Sequence, residues 1–214
     1  VTDQQGAAVP GVTVATRNNE TGEVRVFVTE ANGQYVAPGL NPGRYTVTFE
    51  LTGFSKIERN DISVVLGRTF ELNAQMTVGS VSETVEVTAQ VSPLVDTRST
   101  LIAHNVSSEE IDLLPKGRSF QSIALTAPSV NSGELEGGFQ VNGASGAENT
   151  FTVDGVVTNS LLYGSSRQNT VFEYLEEVQV KTSGISAEYG GALGGVMSAV
   201  TKSGGNVFRG EGHY

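Results

Sequence analysis

Short runs in which apolar and polar residues alternate recur along this chain, with turn-forming residues between them. Residues 12–16 and 24–28 alternate in this way, and from Tyr45 to Leu51 the alternation is strict. A side-chain period of two is that of a β-strand with one apolar face. Turns at intervals of about 8–12 residues between β-branched and aromatic runs are typical of a β-sandwich. The first 77 residues are therefore predicted to form one.

Specific turn residues separate these runs. Asn32-Gly33 is the dipeptide preferred in a tight hairpin, because both central residues of that turn take positive φ. Extended structure is expected to resume at residues 35–37, and Asn41-Pro42-Gly43 is predicted to form another turn. A last alternating run, from Phe70 to Met76, is expected to close the segment with a further strand.

The residues after position 91 have mixed periodicity and include two predicted short helices. Ser107 to Glu110 precede Ile111 as at the capped start of a helix, with acids in its first turn. Pro115 ends that helix because proline lacks the backbone donor that a helix needs. A second helix is predicted from Ser119 to Thr126, before Pro128.

Strands are also predicted in this second segment. Residues 139–145 are predicted to form a strand that runs into a turn, residues 150–157 a hairpin, and residues 175–182 and 194–201 one strand each. Asp154-Gly155 is expected to form a hairpin turn. In the run at 175–182, Val178 and Val180 are predicted to point inward, so Glu177 and the neighbouring Glu173 and Glu176 are expected to form a solvated face.

The composition excludes several classes of protein. A length of 214 residues suits two domains, and a net charge of −10 without a basic cluster argues against binding to nucleic acid or anionic lipid. No cysteine is present, so disulfides and thiolate metal sites are excluded. The sequence contains no run of about 18 apolar residues, so it predicts no membrane-spanning helix.

No motif predicts an enzyme, a cofactor or a metal site. Neither His104 nor His213 has a carboxylate or second histidine at ligand spacing, so both are expected to be solvated or capping residues. Serines lack the context of a nucleophile elbow, and no phosphate-binding or dinucleotide fingerprint occurs. The sequence shows no aromatic platform, so a carbohydrate-binding module has little support. We therefore predict no catalytic, cofactor-binding or metal-ligating residue.

The first segment resembles the carboxypeptidase regulatory-like, transthyretin-like sandwich over nearly all of residues 1–77. The resemblance depends on the turn Asp3–Gly6, the pair Pro10-Gly11, the strings NGQY and NPGRY, and the corner Gly53-Phe54, which occur in order. In that family a further stretch of first strand precedes the string VTD. We expect its absence here to leave a strand edge that another chain could fill.

The second segment resembles the plug domain of Oar-like TonB-dependent receptors over roughly residues 95–205. The strings that carry the resemblance are SSEEIDLLPKGRSFQSI, FQVNGASGAENTFTVDGV and VFEYLEEVQVKTSGISAEYGGALGGVMSAVTKSGGN. The resemblance implies a small mixed sheet with short helices inside a barrel. It also implies Gly-rich turns that touch the barrel wall or substrate, although ordinary tight turns explain those glycines equally well.

Between the two segments lies the heptapeptide ETVEVTA, which resembles a TonB box. Its residues are Glu83, Thr84, Val85, Glu86, Val87, Thr88 and Ala89. The resemblance implies binding to the periplasmic domain of TonB by β-augmentation, in which an extended segment adds its backbone hydrogen bonds to the edge of a partner's sheet. The alternative is an ordinary linking strand that pairs within this protein.

The last residues are predicted to form an orphan strand that could be donated to another copy. They are Phe208, Arg209, Gly210, Glu211, Gly212, His213 and Tyr214. A receptor's β-barrel would follow here, but it must close with many strands and 214 residues leave no room for it. An unpaired strand can complete a sheet in the next copy, and such head-to-tail contacts grow into filaments.

The predicted fold is mainly β with short helices: a transthyretin/Ig-like sandwich followed by a plug-like α+β domain. The predicted parts are a sandwich at 1–78, a linker strand at 79–94, a plug-like domain at 95–205 and a terminal strand at 206–214. The first functional hypothesis is a non-catalytic receptor region at the bacterial outer membrane and periplasm, which gates or signals substrate uptake with TonB as partner. The alternative is an extracellular structural subunit, without a barrel, whose partners are copies of itself.

Overall fold

The protein divides into two compact units, each mainly β as the sequence predicts. A computed structural model describes residues 1–79, 85–88 (backbone only), 100–114, 120–133, 139–160, 162, 166, 170–206 and 208. The first unit comprises Val1–Val95 with Gly204–Tyr214, and the second comprises Asp96–Ser203. All the helical segments that the structure describes lie in the second unit. None of these helices is long and apolar enough to cross a membrane.

The first unit is built on a five-stranded sheet. Its strands are β1 (Thr13–Asn18), β2 (Val24–Val28), β3 (Gly43–Glu50), β4 (Ile57–Val64) and β5 (Val85–Thr88). The strand order is β2-β1-β3-β4-β5. All neighbours are antiparallel except β5, which runs parallel to β4.

One face of this sheet carries the apolar core of the first unit. The buried apolar residues are Val9, Val12, Val14, Tyr45, Val47, Phe49, Ile57, Ile62, Ala74 and Met76. Those from β1 and β3 occupy alternate positions, as the period of two predicts. A second layer of extended segments covers them, tied together by isolated bridges from Thr2 to Ala8 and Gln75. The outer face is exposed even where β2 places valines on it.

Two local predictions for the first unit are wrong, and one strand was not predicted. Only Gly33 of the Asn32-Gly33 pair takes positive φ, at +72°, because the turn closes through the Gly33 N–H to the Glu30 carbonyl rather than through a two-residue hairpin loop. Residues 70–76 form no regular strand, although Ala74 and Met76 are buried. Strand β4 was not predicted, because Asp61 at φ +58° interrupts its register with β3 and its alternation.

The second unit contains a five-stranded mixed sheet and a small hairpin. Its strands are β6 (Ile102–Ser107), β7 (Val130–Ser132), β8 (Phe139–Val141), β9 (Thr150–Val153), β10 (Val156–Val157), β11 (Leu175–Ser183) and β12 (Val196–Thr201). The main sheet has the order β10-β9-β12-β11-β6, and β7 pairs with β8. Within the main sheet β9 and β12 are parallel.

Short helical segments cover one face of this sheet. They are α1 (Ser108–Leu113) and the 3₁₀ segments Phe120–Thr126, Gly146–Glu148 and Phe172–Tyr174. The core between helices and sheet includes Ile111, Phe120, Phe151 and Val178. The rings of Phe120 and Phe151 meet edge to face, with centroids 6.4 Å apart. This arrangement confirms the predicted sheet with short helices.

The local signals of the second unit are confirmed where the structure describes them. Ser107 caps α1 and Glu110 returns the interaction to the backbone of Ser107, which is a capping box. Asp154 and Gly155 both take positive φ, as the predicted hairpin turn requires. The predicted helix at 119–126 is a 3₁₀ helix that begins at Phe120, and Ser119 and Pro115 lie outside the described residues.

Candidate partner-binding strand and plug sheet

The centre of the predicted TonB-box-like heptapeptide is the end strand of the first sheet. Its residues Val85, Glu86, Val87 and Thr88 form β5, while Glu83, Thr84 and Ala89 lie outside the part of the chain that the structure describes. The register partners on β4 are Ile57, Glu58, Arg59 and Asn60, in that order. Because β5 is last in the strand order, its second edge has no partner among the described residues.

The described part of the connection from β4 to β5, residues 65–79, passes through the second layer of the first unit. Ala74 and Met76 are buried there, and Gln75 forms a bridge with Thr2. Two neighbouring parallel strands need such a crossover because the end of the first and the start of the second lie at opposite ends of the strands. The pairing of β5 with β4 therefore depends on contacts far away in sequence.

Of the predicted strand-donation segment, the structure describes only Phe208, which is fully exposed and belongs to no strand. Arg209 to Tyr214 lie outside the described residues. Just before this segment, Asn206 is bound to the turn between β1 and β2. Its backbone N–H donates to the Glu20 carbonyl at 3.1 Å, and its side-chain amide donates to the Thr21 carbonyl at 3.0 Å.

Strand β11 buries a row of polar side chains, contrary to the solvated face predicted for Glu177. Glu177, Gln179 and Lys181 occupy alternate positions and are only 3%, 0% and 5% exposed. The valines between them, Val178 and Val180, are also buried, as predicted. The prediction failed because β11 has a neighbouring strand on each side and cover on both faces.

An asparagine on the neighbouring strand β6 joins two members of this row. The side-chain amide of Asn105 donates to Glu177, and its oxygen accepts a hydrogen bond from Gln179 at 3.1 Å. On the other side, Thr152 donates to Ser198 at 3.0 Å. Buried polar groups need such partners, because a lost partner leaves the full cost of desolvation.

The Gly-rich segment after β11 packs closely against the rest of the second unit. Lys181 donates to the Tyr189 hydroxyl, and its ammonium lies 3.8 Å from the centre of that ring. Asn149 accepts a hydrogen bond from the Gly195 N–H at 2.8 Å. A Cβ added at Gly194 would collide with the Asn149 side-chain oxygen. Gly194 is therefore required for a close approach within this unit.

The described residues contain no group of three or more metal-ligating side chains suited to a metal ion. His104 lies half-buried on β6, and His213 is outside the described residues. In the first unit, burial raises the pKa of Tyr35 to about 12. The Tyr35 hydroxyl donates to the Leu72 carbonyl at 3.1 Å, and its ring meets Phe49 edge to face.

Sequence reasoning did not identify Asn105 and Asn149 as organising residues. Asn105 and Glu177 are separated by 72 positions, and Asn149 and Gly195 by 46. No local pattern marks such partners, since an isolated asparagine is most common in turns. Only the strand order of the sheet brings these side chains together.

Comparison with known proteins agrees with both units. The family model of the carboxypeptidase regulatory-like domain matches residues 1–77, and that of the TonB-dependent receptor plug domain matches residues 96–196. A regulatory-like sandwich followed by a plug defines the class, and the chain is an N-terminal region of a TonB-dependent receptor.

The particular branch follows from a relative. The TonB-dependent transporter Oar of Myxococcus xanthus is 36% identical over 209 residues, which cover 94% of this chain. The chain thus belongs to the Oar-like TonB-dependent receptors. It spans 19% of the length of that relative.

Proposed function

We propose that this chain is a non-catalytic receptor region that gates or signals substrate uptake at the bacterial outer membrane. In this proposal, Glu83–Ala89 is the contact for the periplasmic domain of TonB. The observation that carries it is the β-strand at Val85–Thr88, which lies between a regulatory-like domain and a plug and ends a sheet. Oar, the relative of this chain, is named a TonB-dependent transporter.

The physical basis of the proposed contact is backbone hydrogen bonding. An extended segment binds a sheet edge through its N–H and C=O groups, while its side chains adjust specificity. The backbone of residues 85–88 is already extended, so a partner strand would not have to order it. The proposed contact requires an extended strand and a plug, and it requires no cofactor.

The proposal is tested by comparing two substitutions at one position. Val87→Pro removes a backbone donor and fixes φ, so we expect at least about tenfold weaker binding to the purified TonB periplasmic domain. Val87→Thr keeps a β-branched side chain and the donor, so binding should stay within about twofold. Isothermal titration calorimetry measures both. A folded wild-type chain with no measurable affinity for TonB would contradict the proposal.

A second candidate is an extracellular structural subunit that assembles with copies of itself by strand donation. The observation that favours it is the exposed edge strand β2, where Val24, Val26 and Val28 are 54–59% exposed. Unpaired edges with apolar side chains are templates for pairing with another chain. The candidate predicts filaments that disappear when Phe208–Tyr214 is deleted. A monomer at every concentration in light scattering would exclude it.

A further inference from the structure

We propose that strand β2 binds β2 of a second copy of this chain, antiparallel about a twofold axis at Val26, so that two sandwiches join edge to edge in a dimer. Strand β2 is the first strand in the order of its sheet, and β1 is its one neighbour among the described residues. The inference does not depend on the proposed contact with TonB, which uses the opposite end of the same sheet.

The hydrogen bonds at the two ends of the β1–β2 pair show which backbone groups of β2 are open. At one end the Asn18 N–H donates to the Glu23 carbonyl, and at the other the Thr29 N–H donates to the Val12 carbonyl. Opposed residues of an antiparallel pair alternate between bonded and non-bonded positions. The three valines of β2 therefore direct their N–H and C=O groups away from β1. No hydrogen bond among the described residues occupies these groups.

This open edge lacks the usual features that prevent strand pairing. Natural edge strands are protected by lysine, proline or a bulge. Strand β2 contains neither residue, pairs with β1 without a register shift, and exposes its valines by 54%, 59% and 58% in chain order. Its one charged residue, Arg25, is held within its own copy by Glu23 at 2.8 Å and the Gly39 carbonyl at 2.6 Å. The edge is therefore suited to pairing with another strand.

The sequence of β2, VRVFV, is complementary to itself in one arrangement. Antiparallel pairing about Val26 places Val24 opposite Val28 of the second copy, and the valines form one apolar row across both copies. It also places Arg25 opposite Phe27 of the second copy, a favourable pairing of a cation with an aromatic ring. Parallel pairing in register, or an axis moved to Arg25, would oppose two arginines, and like charges at opposed positions destabilise a strand pair.

The pairing uses the same edge on both copies, so assembly stops at two. A five-residue strand pair is a small interface, below the roughly 1,200 Å² at the low end of stable complexes, so we expect a dissociation constant on the order of 10–100 µM. The predicted dimer is thus weak, closed and dependent on β2.

Two lysine substitutions test the dimer by sedimentation velocity of the full chain. Val26→Lys places two ammonium groups opposite each other at the axis, so the dimer should dissociate at least about tenfold more readily than that of the wild type. Val78→Lys is the matched control, because Val78 is 75% exposed and forms a bridge with Phe54, just before β4. It should leave the dimer unchanged. A wild type that is monomeric at about 0.5 mM, or equal dissociation constants for the two variants, would overturn the inference.

A cysteine at the axis provides a second variant that does not weaken the edge by charge. The chain has no cysteine, so Val26→Cys introduces a single thiol. Residues opposed at a bonded position have Cα atoms about 5.5 Å apart, which a disulfide spans. Under mild oxidation Val26→Cys should form a covalent dimer at least about tenfold faster than Val78→Cys. Equal rates would show that the two copies do not meet at Val26.

Two further measurements exclude other occupants of the edge. The chain without Phe208–Tyr214 should dimerise as the full chain does, and loss of the dimer on this deletion would assign the edge to the terminal segment and overturn the inference. Binding of the TonB periplasmic domain should be the same for Val26→Lys and the wild type. Weaker TonB binding by Val26→Lys would assign the edge to TonB. Absence of TonB binding in every form would remove the proposed function and leave the dimer to be decided by sedimentation.

Discussion

The main sheets of the two units both have five strands, but they differ in which side chains are exposed and which are buried. In the first, valines of the end strand β2 are more than half exposed. In the second, Glu177, Gln179 and Lys181 on the inner strand β11 are almost completely buried. Hydrophobicity alone would place these two sets of side chains the other way round. The difference lies in cover: the face of the first sheet that carries the β2 valines is open to solvent, whereas both faces of β11 are buried.

The apolar core of each unit should contribute about equally to the stability of that unit, which sharpens the comparison. Phe49→Ala in the first unit and Phe151→Ala in the second each remove a fully buried ring with an aromatic neighbour. Each should lower the free energy of unfolding of its own unit by about 3–5 kcal/mol. Urea denaturation, followed by hydrogen exchange in each unit, measures both losses. Phe208→Ala, at a fully exposed ring, should stay within about 0.5 kcal/mol.

Removing a polar side chain should lower the stability of the two units unequally, which is the direct test of the comparison. Glu177→Ala removes the buried acceptor of a hydrogen bond from half-buried Asn105, so the plug should lose about 1–3 kcal/mol of stability. Glu50→Ala, on the exposed face of β3, should change the stability of the sandwich by no more than about 0.5 kcal/mol. Thermal denaturation of the two variants provides the measurement. Equal losses would remove the distinction between the two sheets.

The smallest expected effect concerns alkaline pH and the first unit. Burial raises the pKa of Tyr35 to about 12 from an ordinary 10.0, so the folded state favours the neutral phenol. Its contribution is complete below pH 10 and is lost as the pH rises towards 12. Between pH 8 and pH 11 the wild type should therefore lose on the order of 1 kcal/mol more stability than Tyr35→Phe. An identical loss in both proteins, in urea titrations, would contradict this assignment.

Local chemistry predicted those elements whose partners are near in sequence. Strand β2 begins and ends at Val24 and Val28 as its alternation indicates, and the turn at Asp154-Gly155 has the positive φ values that its residues favour. The capping box at Ser107 and Glu110 was readable because both members lie within one helical turn. The families of both units were recognisable from motifs of the same short range.

Elements that depend on distant partners were not predictable in this way. The four residues of β5 were predicted to be a strand, but nothing in ETVEVTA indicates that it pairs in parallel with β4. The buried state of Glu177 depends on Asn105, which is 72 residues away. Alternation from Phe70 to Met76 indicated a strand, yet these residues form no regular strand, and of the alternating side chains only Ala74 and Met76 are buried.

The strand order of the plug also determines when each unit can fold during synthesis. Strand β12, at the middle of its sheet, is the last strand of that unit to be made, and β6 waits about 70 residues for its neighbour β11. Strands β1 to β4, by contrast, are complete by Val64. Domains generally fold as units from the N-terminus, and distant pairings form slowly. The nascent chain therefore carries most of a folded sandwich ahead of a plug whose β6 edge stays open until residue 183 has emerged.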